Sequence, residues 1–334
     1  MSRTTLKNKT FFDRLANPSW GLIGAVIISL VLLAVVAVGL DGLWGTVLTD
    51  VSLRRMLTSP VMVVYILIVT AVLNSYHDEE IASLRKISKL DDDSFDDRVN
   101  TSDAMIRRGT PIALVVGLAL GVLIATPWQM EGDFRWIELY SSLTSVIMFA
   151  LLTWVIYMAL MDTRLINGIE RQPLDFDILY PRPFIAIGRQ SLRVALAFVG
   201  GTTIAVLFAF SAEVRFELDD LLIYSTLILI TLLIFFLPMT QTHRILRAAQ
   251  IEELDTVSRR LADAFEALKG LSDEDREGIQ TFSYEVSLWK DYEDRLKSVN
   301  TWPYELGMLR TLLLSVLVPI AASQLRWLVA QWMS

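Results

Sequence analysis

Seven windows without a single charged side chain, at about residues 15–40, 56–76, 109–130, 139–161, 194–212, 221–242 and 311–325, dominate this chain. A helix that crosses the hydrocarbon of a bilayer needs about 20 apolar residues in succession, and the first six windows come close to or exceed that length. Lipid offers the backbone no hydrogen-bond partners, so such runs must become helices. The fold class expected is all-α: a polytopic membrane protein with seven transmembrane helices, resident in the cell (inner or plasma) membrane. The seventh window is short and lies between Arg310 and Arg326. It spans only if those arginines snorkel at the two faces or are shielded by protein or water.

Composition agrees. Hydrophobic residues make up 53% of the 334, and the mean hydropathy is +0.47. The first window follows Arg3, Lys7, Lys9 and Arg14 in the manner of a signal peptide, but signal cores run to about 7–15 residues, and this run is far longer. It reads as a retained helix. The chain has no cysteine, which excludes disulfides, thiolate metal sites and cysteine nucleophiles. Neither a P-loop nor a G-x-S-x-G or H-E-x-x-H pattern occurs, so no enzyme and no cofactor is expected. A net charge of −7 without a basic block gives no support for nucleic-acid binding. His77 and His243 each sit at the inner end of an expected span, where an interfacial role suffices.

Charge sets the orientation. Arg54, Arg55, Arg135, Arg215 and Arg326 lie on one side, and the other 25 of the 30 lysines and arginines lie with the N-terminus. By the positive-inside rule the N-terminus is cytoplasmic and the C-terminus outside. The connections on the inner side are long. After the second window Ile81, Leu84 and Ile87 keep helical spacing, as if that helix continued beyond the membrane. The acidic cluster Asp91, Asp92, Asp93, Asp96 and Asp97 lacks the glycine and terminal glutamate of a calcium loop and reads as a solvated loop. Gly117 and Gly121 in the third window permit close helix approach. Pro181 and Pro183 break the chain before a helix that rises past Arg189 and Arg193.

The sixth span is expected to end at Pro238. Beyond it Ile251, Leu254, Val257, Leu261, Phe265 and Leu268 draw one apolar stripe, stopped by Gly270. Ser272 and Asp275 resemble a capping box. A second stripe then runs through Ile279, Phe282, Val286, Trp289, Tyr292, Leu296 and Val299. The chain thus divides into a six-helix membrane bundle (1–242), a cytoplasmic helical hairpin (243–300) and a last helix (301–334). Phe282, Val286, Trp289 and Leu296 serve either to hold subunits together or to pack the hairpin within its own subunit.

A cytoplasmic N-terminus, seven spans, extended inner helices and a cytoplasmic helix that breaks into a short last span resemble the architecture of the insect odorant and gustatory receptors and their distant relatives. The segments Pro173-Leu174-Asp175-Phe176-Asp177 … Arg182-Pro183-Phe184 and Thr301-Trp302-Pro303 … Leu309-Arg310 are also similar to those of uncharacterised bacterial seven-helix membrane proteins. The resemblance implies a homotetrameric, ligand-gated cation channel. Residues 273–299 would match the subunit-holding anchor and 304–330 the pore helix. Thr311, Ser315, Val318, Ala322 and Arg326 share one helical face and become candidate pore-lining residues, with Val318 or Ala322 as an apolar gate. The other reading of that face is an ordinary helix–helix seam. Tyr65, Trp154, Tyr157 and Tyr224 are candidates for the pocket of an unidentified small-molecule ligand, or are packing residues. The alternative function is a non-conducting receptor or scaffold that signals through its cytoplasmic helices. A transporter fits less well, since no inverted repeat is visible. The partners expected are the lipid bilayer and further copies of the chain.

Because the chain has no native cysteine, a cysteine at Ser334 reports one position alone. It is expected to label from outside in intact cells, and labelling only after permeabilisation overturns this orientation.

Overall fold

The described part of each apolar window lies within a helix, and most of these helices run well beyond it. The computed structural model describes residues 18–43, 50–125, 135–170, 172, 174, 176–180, 182–209, 218–270 and 276–333. Eight helices occur among them: α1 (Trp20–Leu43), α2 (Asp50–Ile87), α3 (Asp92–Ala125), α4 (Trp136–Glu170), α5 (Arg182–Ala209), α6 (Leu218–Lys269), α7 (Arg276–Ser298) and α8 (Leu306–Met333). One isolated antiparallel bridge, Ser88 with Leu174, is the β structure among the described residues. Five helices, α1 to α4 and α6, are long and apolar enough to cross a membrane, and the apolar stretch Leu306–Val318 of α8 is shorter.

Two expectations are corrected. The acidic cluster is not a loop but the start of α3. Its aspartates suit the positive end of a helix, and the Asp91 carboxylate accepts the backbone N–H of Ser94 at 3.2 Å. The bonds from Ser94 hold Asp91 below the usual carboxylate range. Arg85, at the end of α2, pairs with Asp92 and Asp96 and lies over the Phe95 ring. The second correction concerns Pro238, which does not end its helix: α6 runs unbroken through it for 52 residues. A proline within a helix removes one backbone hydrogen bond, a loss that neighbouring elements commonly make good in membrane helices. The 242/243 boundary therefore falls inside one helix.

Within the apolar layer α3 and α4 meet where side chains are smallest. A Cβ on Gly117 would stand 2.6 Å from the Ala150 Cα, and one on Gly121 would stand 2.7 Å from the Val146 Cα. The α3–α4 seam is thus a backbone-to-backbone contact, as the Gly-x-x-x-Gly spacing anticipates. At the end of this layer away from α7, Asp41 closes α1 onto α4. Its buried carboxylate accepts the Trp136 and Ile137 N–H groups at 2.8 and 3.0 Å, which caps the free donors of the α4 N-terminus.

The largest buried apolar cluster lies at the other end, among the extensions of the helices. Leu84, Phe95, Leu165, Ile169, Ile178, Phe184, Ile187, Leu246, Val257 and Leu296 belong to it, and Trp289 and Tyr292 pack against it. The stripes of α6 and α7 therefore meet each other and the rest of the same chain. Gly270 ends α6 by donating to the Glu266 and Ala267 carbonyls; the capping box at 272–275 lies outside the described residues. On the open side of α7, Lys290 and Lys297 grip Glu293 at 2.7 and 2.8 Å and push its carboxyl down to about 2.

Gly117→Ala is expected to destabilise the protein by about 1–3 kcal/mol, the usual cost of overpacking, seen as a lower Tm in detergent. Gly24→Ala is the control, since a Cβ there meets nothing within 4 Å. Equal stability of the two variants would mean that the α3–α4 seam is not close-packed.

Candidate functional site: the joint between the arm and the last helix

The chain between α7 and α8 is short and fully engaged. After Ser298 the Val299 N–H donates to Leu296 O at 3.3 Å. Asn300 then folds the backbone: its Oδ1 accepts the Trp302 N–H at 3.0 Å, and its Nδ2 donates to Tyr304 O at 3.4 Å. Asparagine favours such local turns for this reason. Glu305 O accepts the Met308 and Leu309 N–H groups at 2.9 and 3.4 Å, which opens α8.

Five contacts hold this turn to α5 and α6. The Trp302 indole stacks on the His243 imidazole with centroids 4.1 Å apart and planes within 8°. The same indole meets Phe236 edge-on, and Tyr304 packs against Phe235 and Phe236. His243 Nδ1 stands 3.3 Å from Thr301 O. Lastly, Pro303 O approaches α5 so closely at Gly188 that no Cβ would fit.

Gln250 ties the end of α7 to α6 from below. Its buried Nε2 donates to Leu296 O at 2.7 Å and to Val299 O at 3.4 Å, carbonyls at the end of the helix that lack their full intrahelical bonding. Its Oε1 accepts from Arg247 at 2.7 Å. Nearby, the Tyr292 hydroxyl donates to Glu253 at 3.2 Å. Burial, and then the Glu253 charge, raise the Tyr292 pKa.

Beyond the joint, α8 packs mainly on α5, with a smaller contact to α6. Leu312 is buried against Ala195, Phe235 and Met239; Met308 and Val316 are buried too, while Leu313, Leu314 and Leu317 are open. The candidate pore residues straddle the edge between these faces. Thr311 and Val318 are exposed and Ser315 is half-buried. Thr311 and Ser315 donate to Gly307 O and Leu312 O in the preceding turn, so neither hydroxyl requires water. Ala322 and Arg326 lie on α8, with side chains outside the described residues.

The aromatic candidates occupy separate places. Tyr65 donates to Ala197 O at 2.5 Å and packs on Gly200 and Gly201 of α5. Trp154 is fully buried with Ile23, Val63, Ile66 and Leu67. Tyr157 donates to Met105 O at 3.0 Å, across the α3–α4 seam. Tyr224 lies on α6, its side chain outside the described residues. Of the anchor candidates, Leu296 is buried and Phe282, Val286 and Trp289 are half-buried, with Arg260 over the Trp289 ring.

The sequence shows Trp302 and His243 but not their pairing, and it marks Asn300 to Pro303 as a break between helices, whereas nothing in it points to Gly188 or Gln250. Only the Asn-Thr-Trp-Pro run carried a local signal, that of a turn. No group of three or more histidine, aspartate or glutamate residues able to hold a metal occurs among the described residues. What the joint can do is mechanical: it fastens the start of α8 to α5 and α6. Searches against protein-family models, curated proteins and solved structures found no match.

Trp302→Ala removes an aromatic stack worth about 0.5–1.5 kcal/mol beyond its area. Hydrogen exchange is expected to rise across residues 300–310 while the α3–α4 seam stays protected. A uniform rise would mean that the stack supports the whole fold and does not act as a local fastening.

Proposed function

We propose that the chain is one subunit of a homotetrameric, ligand-gated cation channel with the architecture of the insect chemoreceptors, spanning the cell membrane seven times with its N-terminus inside. In this reading α5 and α8 complete the seven spans, α8 lines the pore, and the arm passes motion to α8 through the Trp302–His243 joint. The observation that carries the reading is the position of α8. It packs along one face, leaves Thr311, Val318 and the Leu313–Leu314–Leu317 face open, and is fastened at its start to a helical arm. A helix so placed has room for neighbouring subunits on its free side. The 25-to-5 division of basic residues supports the orientation. The ligand remains an unidentified small molecule.

The arm also supports a second reading, a non-conducting receptor or scaffold. Phe265, Tyr284 and Leu288 stay 44%, 71% and 51% exposed on helices that extend from the bundle, which leaves apolar surface for a partner protein.

Conductance separates the two. Val318→Ser or Ala322→Ser is expected to raise basal conductance in reconstituted bilayers by wetting an apolar constriction. Leu313→Ser, on the other side of the helix, should have no effect. Equal effects at all three positions would point to general destabilisation. Silence at all three, in protein shown to be folded and oligomeric, would favour the receptor.

A further inference from the structure

Arg189 and Arg193 stand one turn apart on α5, at the foot of the apolar run 194–212. Arg189 meets Glu305 at 3.5 Å, and the two side chains are 58% and 56% exposed. A pair so open to solvent is weak and easily exchanged. The Arg193 guanidinium lies over the Tyr76 ring, 3.6 Å from its centroid. That contact fixes its plane, and none of the ion pairs among the described residues takes up its N–H edge. Side chains four apart on a helix begin about 5–6 Å apart, so the two planar forks can reach one phosphate, a group they match bidentately. Glu305 immediately precedes α8, whose first N–H groups add positive potential at the same spot.

We propose that Arg189 and Arg193 bind the phosphate of an anionic phospholipid in the leaflet nearest the arm, and that this phosphate displaces Glu305 from Arg189. The lipid is the fitting occupant because the forks lie at the border of the apolar layer, where headgroups are held at high local concentration. A site this open would hold little free phosphate. Occupancy would loosen one of the ties that hold the start of α8, so leaflet composition would reach the last helix directly. The inference rests on the membrane reading and not on conduction, so it can fail or stand whether or not the protein is a channel.

Native mass spectrometry of the full-length protein, with phosphatidylglycerol or phosphatidylcholine added in detergent, measures the binding. The wild type is expected to retain phosphatidylglycerol in preference. Arg189→Gln with Arg193→Gln should weaken that retention by at least about tenfold. Glu305→Gln, which removes the competitor, should strengthen it by up to about fivefold. Arg108→Gln with Arg164→Gln removes equal charge from α3 and α4 and should leave retention as in the wild type. Unchanged phosphatidylcholine binding and oligomer mass certify that each variant is folded. A bimane on Leu306→Cys, in nanodiscs, reads the start of α8. Its emission should shift with phosphatidylglycerol and not with millimolar inorganic phosphate in phosphatidylcholine. Unweakened retention in the Arg189/Arg193 variant, or equal loss in the control, overturns the site. A shift with phosphate alone overturns the choice of lipid.

Discussion

Water drives apolar side chains together only where there is water to escape. Inside a bilayer that force is absent, and helices associate through close packing and hydrogen bonds. This division organises the chain. The cluster around Phe95, Ile169, Phe184 and Leu296 lies among the helix extensions, where burying each large side chain contributes about 1.5–3 kcal/mol. In the apolar layer close packing sets Gly117 and Gly121 against α4 and Gly200 and Gly201 against Tyr65, and it seats Trp154 among Ile23, Val63, Ile66 and Leu67. The arm-end core collects six helices at one level, and the glycine seams fix how they lie above it.

The joint belongs to both regimes. Its aromatic side, Trp302 with Phe236 and Tyr304, faces the apolar residues of α6. Its polar side, Gln250, Asn300 and His243, completes the backbone groups that a broken helix leaves open. The break between α7 and α8 thus leaves few loose ends and keeps a defined geometry without regular secondary structure.

Much of the helical plan was legible in the sequence because charge and periodicity are local properties. The continuation of α2 past its apolar run, the stop at Gly270 and the close approach at Gly117 and Gly121 could all be read from neighbouring residues. The acidic start of α3 was misread because an aspartate cluster looks the same in a loop and in a first helical turn until Arg85 closes on it from another helix. Pro238 was misread as a stop because a lone proline cannot reveal whether the surroundings replace its lost hydrogen bond. Of the joint only the break at Asn300 to Pro303 could be read, not the side chains that hold it. Trp302 lies 59 residues from His243, Gln250 lies 46 from Leu296, and Asp41 lies 95 from Trp136; no local pattern links such pairs.

The unbroken course of α6 has a mechanical consequence. At about 1.5 Å per residue, its 52 residues make a rod of about 78 Å. The rod carries Phe235 and Phe236 at the joint and Val257 in the arm-end core. His243 and Gln250 lie on the same side of Pro238 and hold Thr301, Leu296 and Val299, so the arm half of the rod and the joint before α8 are tied together. Pro238 is the one place along the described rod where a missing hydrogen bond lets it flex, and it sits one turn from the joint. The molecule thus has a shaft with its compliant point beside its coupling.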